Sequence, residues 1–214
     1  MQTRVLFFAL LVLSSVGSLD PSHAQVNLGV SIGEDRLRGF YLGVGEYFRV
    51  PEREVIVIRE RRIPVEEVPV VFFIAQKARV EPATVVNLRL SGRSWLDITI
   101  RYGLSPEIYY VPVPVVVEGP PYGKALGHFK NKPKKEWKTI VLSDHDVVNL
   151  VNLKFVSGHY GHPPEEVIKW RSQGKDFVGI NHEIRKEKGR GRQKEKGHET
   201  ARENQKGGGK GKGR

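Results

Sequence analysis

FVSGHYGHPPEEVIKWRSQGKDFVGINHEI, Phe155 to Ile184, has two relatives upstream in the same chain. Without gaps, a shift of 82 places Phe155 over Phe73, Pro164 over Pro82, Val167 over Val85, Ile168 over Val86 and Arg171 over Arg89. Gly174 then falls on Gly92, Phe177 on Trp95 and Ile180 on Ile98. A further shift of 30 carries the pattern to Val55, Ile56, Ile58 and Arg59, followed by Val65, Val68 and Phe72. An internal repeat has to be found before elements are assigned, because each unit is one supersecondary piece.

The repeat settles an ambiguity. Alone, Val55-Ile56-Val57-Ile58 is a β-branched run that reads as a strand. Its third copy opens on Pro164, carries Glu165 and Glu166 in a first turn and stops at Gly174, which are helix signals. All three copies are therefore expected to be helical. Phe177, Ile180 and Ile184 follow at i, i+3 and i+7, as do Trp95, Ile98 and Tyr102, and Val65, Val68 and Phe72. Asp176 and Ser94 stand where N-caps belong, with Asp97 three residues after Ser94. Each unit reads as a short helix, a glycine-type turn and a second helix, and stacking the units buries what none could bury alone.

Working outward, Arg4 followed by the apolar run Val5 to Val16 and the small residues at Ser22-His23-Ala24 reads as a secretory signal peptide over 1–24. A membrane anchor is the competing reading, but the run falls short of the roughly 20 residues a spanning helix needs. The expected location is periplasmic or secreted, with no transmembrane span after cleavage. The chain has no cysteine, which excludes disulfides and thiol chemistry. Net charge is +11, of which residues 185–214 hold 12 Lys/Arg against 4 Glu, or +8. Residues 25–184 carry the remaining +3, so basicity belongs chiefly to the C-terminal tail.

The expected fold is mainly α, with three short helix-turn-helix units, an extended Pro/Val-rich linker and a disordered basic tail. Gln25 to Arg38 reads as a flexible or extended lead-in and Leu42 to Arg49 as a first helix. Repeats one and two occupy 25–104, with Pro69 bending the chain near Val68. Residues 105–142 form the linker, whose Tyr110 to Val117 alternates proline with β-branched residues and should be extended, as polyproline II or an edge strand. Its aromatic residues Tyr109, Tyr110, Tyr122, Phe129 and Trp137 suggest that it wraps the helices, and Lys130 to Lys138 is a basic, proline-broken loop. The third unit occupies 143–184, launched by a capping-box-like Ser143-Asp-His-Asp146. From 185 onward the chain has no apolar residue but Ala201 and is expected to be disordered.

Candidate chemistry is sparse. Pro164 to Ile184 resembles a helix-turn-helix of the DNA-binding kind, yet the second helix is poor in basic groups. Arg59, Arg89 and Arg171 each close a first helix; they serve either as cations near a helix C-terminus or as a guanidinium row for an anionic ligand. His145, His159, His162 and His182 lie near Asp144 and Asp146, but a zinc site needs three or four converging ligands, and solvated histidines are the simpler reading. There is no Gly-x-Ser-x-Gly elbow, phosphate loop or paired metalloprotease histidines, so neither catalytic residue nor cofactor is assigned. The tail, with Lys186, Lys188, Arg190, Arg192, Lys194 and Lys196, is a polycation suited to phosphate-rich surfaces unless it is a mere solubilising tail.

The pattern at Pro164 to Ile180, with its partial copy at Pro82 to Ile98, resembles segments of uncharacterised exported bacterial proteins, best over Gly119 to Arg185. The resemblance implies an exported helical protein and adds no site. The expected function is that of a noncatalytic envelope protein, a helical interaction module whose tail meets an anionic envelope component or an acidic protein. A nucleic-acid-binding protein is the alternative.

Overall fold

The computed structural model describes residues 22–114, 117 and 119–190, with side chains from residue 33 onward. Residues 1–21, most of the stretch expected to be a signal peptide, and most of the tail, 191–214, lie outside the described residues. The described chain is helical with no strand: α1 Ser22–Phe48, α2 Glu52–Glu60, α3 Val68–Ala78, α4 Pro82–Leu90 and α5 Trp95–Arg101. There follow α6 Gly123–Asn131, α7 Asp144–Tyr160, α8 Pro164–Ser172 and α9 over residues 177–190, with 3-10 turns at Val65–Glu67, Pro106–Tyr109 and Lys134–Thr139.

The three units are present as expected. α2, α4 and α8 are the first helices, each nine residues long, and the Val55-Ile56-Val57-Ile58 run is helical despite its β-branching. Ser94 with Asp97 and Ser143 with Asp146 form complete capping boxes, and Asp176 Oδ1 accepts the Gly179 N–H at 2.6 Å. Pro69 falls in the first turn of α3, where a helix has no amide bond to lose. The expected bend is the passage from the 3-10 turn to α3 at Val68.

The turns are built alike at equivalent positions. The amides of residues 62, 92 and 174 donate to the carbonyls of Arg59, Arg89 and Arg171 at 3.1, 3.0 and 2.9 Å. All three donors have positive φ: Gly92 at 86°, Gly174 at 87° and, in the first unit, Arg62 at 63°. A Cβ at Gly92 or Gly174 would touch nothing within 4 Å, so the backbone alone asks for glycine there. Left-handed geometry costs a non-glycine residue about 1–2 kcal/mol, partly offset by the entropy glycine loses on folding. Gly92→Ala is therefore expected to destabilise by about 1 kcal/mol and Arg62→Gly to stabilise by up to about 1 kcal/mol. Urea midpoints at constant slope check both; equal shifts of one sign would refute the shared turn.

Three expectations need correction. Gln25 to Arg38 is no extended lead-in: α1 covers it, and the helix expected at Leu42 to Arg49 is only the end of α1. Glycine-rich sequence argues against a helix by propensity, but Gly43 is where other elements come close. A Cβ there would stand 2.9 Å from Tyr160 Oη and 3.0 Å from Asn181 Nδ2, so close packing explains that glycine. The linker is not purely extended, because α6 and the Lys134–Thr139 turn lie inside it. Finally, α9 runs to residue 190, so the first residues of the tail are helical. Ile184 buries its side chain, and Lys188 donates to the Tyr160 carbonyl at 3.3 Å, which holds that turn on α7.

One apolar core joins all the units, with α7 at its centre against α1, α3, α5 and α8. Linker aromatics belong to it: Tyr109 and Tyr122 are fully buried and Phe129 nearly so, so the linker wraps rather than dangles. Tyr109 shares a hydrogen bond with Thr99 and Tyr122 donates to the Asn149 carbonyl at 3.3 Å. Burial pushes both phenols well above their ordinary pKa, so both stay neutral.

Candidate functional site

Two of the repeated arginines turn inward. Arg89 Nη1 donates to the Arg93 carbonyl at 3.1 Å and Arg171 Nη1 to the Lys175 carbonyl at 2.7 Å, equivalent positions in the two units. Each guanidinium also covers the aromatic ring that opens the next helix, Arg89 at 4.7 Å from the Trp95 centroid and Arg171 at 4.6 Å from that of Phe177. A carboxylate from a distant element then ties arginine and helix start together. Asp144 accepts the Trp95 amide on Oδ1 at 2.7 Å and Arg89 on Oδ2. Glu66 accepts the Phe177 amide on Oε1 at 2.7 Å, with its other oxygen 3.9 Å from Arg171.

Glu67, beside Glu66, holds Arg89 in a two-point fork at 2.9 Å for each bond, and Asn149 Oδ1 accepts from Arg171 at 3.1 Å. The network therefore joins the first unit, which supplies Glu66 and Glu67, to the second and third. Burial works against the Arg89 charge, but hydrogen bonds and attraction from Glu67 and Asp144 overcome it and raise the pKa. Arg59, at the same repeat position, is exposed over Tyr41 at 5.7 Å and meets no carboxylate among the described residues. Of the three arginines, it is the one whose charge faces solvent.

The tail cations Lys186, Lys188 and Arg190 are exposed on α9, with the Lys188 ammonium 5.0 Å from the Tyr160 ring centroid. Arg192, Lys194 and Lys196 lie outside the described residues. The histidines are dispersed: His159 pairs with Glu46 at 3.2 Å, His162 with Glu166 at 3.0 Å, and His145 meets Asn149. Among the described residues no three His, Asp or Glu side chains converge as a metal site would require. The first turn of α9 packs inward through the buried Phe177 and its amide bond to Glu66, whereas a recognition helix presents that turn to a groove.

A second basic region comes from the linker. Residues 124–138 contain Lys124, Lys130, Lys132, Lys134, Lys135 and Lys138 against Glu136 alone, a net +5 in a body whose total is +3. Trp137 anchors them: its Nε1–H reaches the carbonyls of Phe129 at 3.1 Å and Lys132 at 3.0 Å, and its ring lies 4.5 Å from Tyr110 and 5.3 Å from Phe129. Lys154 of α7 joins from beneath, donating to the Tyr110 carbonyl at 2.6 Å. Burial and the like charge of Lys77 push its pKa down to about 8. The basic loop and the aromatic residues are each legible in the sequence; Lys154 carries no local signal linking it to them.

Among the described residues no helix is long and apolar enough to cross a membrane. Comparison with protein-family models, curated proteins and solved structures finds no match to this chain.

Proposed function

We propose that this is a noncatalytic exported protein, a helical interaction module whose polycationic tail holds it against an anionic envelope component or an acidic partner. The observation that carries this reading is charge placement: +8 of the net +11 lies in residues 185–214, following directly on Ile184, the last buried residue among those described. A polycation of this kind binds phosphate-rich surfaces through counterion release, with strong salt dependence. Inward use of Arg89 and Arg171 favours a structural part for the repeats, and the packed start of α9 gives no support to base reading by that helix.

The test is retention on heparin and on anionic vesicles of the full chain against a chain ending at Arg190, which keeps all of α9 that the structure describes. The shorter chain should elute from heparin at clearly lower salt, with an unchanged helical spectrum. Equal elution would refute the part given to the tail. An N-terminus at Gln25 in a periplasmic extract supports export; a full-length cytosolic protein supports the nucleic-acid reading instead.

A further inference from the structure

We propose that the lysine face of residues 124–138, assembled on the Tyr110–Phe129–Trp137 cluster, is a docking site for an anionic lipid bilayer. The idea rests on the reading of the chain as an anionic-surface binder, but it places a second contact on the folded body, away from the tail. Three features carry it. All six cations are lysines, compact hydrated point charges without the guanidinium fork that picks out a single phosphate geometry, as suits a field of headgroups. The backbone that displays them is pinned by the Trp137 bonds and ring contacts, so little ordering entropy is lost on binding. Lys154 adds positive charge at the cluster itself, its ammonium donating to the Tyr110 carbonyl at 2.6 Å.

Apolar groups lie beside the charges. A groove of about 240 Å³ runs along Val111, Val113, Leu126 and Phe129, with Lys130 on its rim. Val141, three residues beyond Lys138, is 75% exposed between the buried Ile140 and Leu142. Basic groups flanking a small apolar surface match the boundary between headgroups and acyl chains. Single-stranded nucleic acid fits less well, because a base needs a free aromatic face. Here Trp137 and Tyr110 cover one another, and the Lys134 ammonium sits 5.9 Å from the Trp137 centroid.

The test uses the full chain carrying Lys130→Gln, Lys134→Gln, Lys135→Gln and Lys138→Gln, all exposed positions, with folding checked by circular dichroism and melting. Binding is read by cosedimentation with vesicles of equal parts phosphatidylglycerol and phosphatidylcholine, in parallel with a short single-stranded oligonucleotide. The variant should lose about a thousandfold in vesicle partitioning while staying folded. The chain ending at Arg190 should keep a vesicle affinity that the same four substitutions abolish. Unchanged vesicle binding by the folded full-length variant overturns the proposal and, if truncation alone removes binding, leaves the tail reading intact. Loss confined to the oligonucleotide also overturns it, in favour of a nucleic-acid face.

Discussion

Asp144→Ala should lower the free energy of unfolding by about 2–3 kcal/mol, because one carboxylate serves two partners on another repeat unit. Its Oδ1 takes the amide of Trp95, whose residue is fully buried, and an amide left there without a partner costs about 1–3 kcal/mol. Its Oδ2 holds Arg89, whose side chain is 20% exposed, so that charge retains Glu67 but loses half of its compensation. The Asp144 side chain is 36% exposed, and water replaces part of what is lost, which keeps the expected effect below that of a sealed ion pair. Asp144→Asn separates the two duties: it can still accept from Trp95 and should cost about 1 kcal/mol. A double-mutant cycle with Arg89→Leu should return a coupling of about 1 kcal/mol or more. Additive losses, or an Asp144→Ala change within 0.5 kcal/mol of zero, would show that the carboxylate is not what joins the units; about that much is ordinary for a surface substitution.

This network marks the boundary of what the sequence can show. The helices of the repeat, its caps and its turn glycines follow from local rules: Ser94 finds Asp97 and Ser143 finds Asp146 three residues away, and each box formed. The positions Arg59, Arg89 and Arg171 were equally legible as helix ends. Their different fates were not, because they depend on carboxylates 22 and 55 residues away for Arg89, and 105 residues away for Arg171 and Glu66. Nothing local distinguishes Glu66 or Asp144 from a solvated acid in a first helical turn. α1 escaped for a related reason. Its glycines lower helix propensity, and the contact that makes Gly43 useful comes from Tyr160 and Asn181, more than a hundred residues on. The linker shows the third kind of limit: its proline alternation reads as polyproline II or an edge strand, the described part at Val111 to Pro114 is neither helix nor strand, and α6 and the Lys134–Thr139 turn gain their order from packing Phe129 and Trp137 against Tyr110.

Functional consequences of that split concern the lysine face more than the repeat. A wrapping linker whose aromatic side chains anchor to the core, and whose lysines remain outside, keeps a basic surface in register with the body. Among the described residues the tail is tied to the body at Arg185 and Lys188, both of which meet Tyr160. Where the lysine face and the tail meet one anionic surface, each is expected to raise the effective concentration of the other.

Phe155→Ala should cost about 3–5 kcal/mol, enough to unfold a domain of ordinary stability. Phe155 opens the third copy of the pattern, is fully buried and meets Phe40 edge-on at 5.7 Å, Tyr47 at 5.4 Å and Phe48 at 6.5 Å. It thus fastens α1, the element local propensity argued against, to α7, and its removal leaves a cavity among aromatic rings too rigid to collapse. Phe155→Leu fills most of that space and should cost about 1–2 kcal/mol, which keeps the comparison measurable if the alanine variant is unfolded. His159 supplies a local readout. Its ring stacks on Phe155 at 5.9 Å, and burial, opposed by Glu46, holds its pKa below the usual imidazole value. Because the folded pKa lies below the unfolded one, the unfolded chain binds more protons between them, so this group's contribution to stability rises as pH climbs through that window. Shrinking the side chain at 155 opens the ring to water, and the His159 pKa, followed by NMR titration, should move back up toward the ordinary value of 6.5 in Phe155→Leu. A loss below about 1 kcal/mol in Phe155→Ala, with His159 unmoved in Phe155→Leu, would mean that α1 is held to α7 by other contacts.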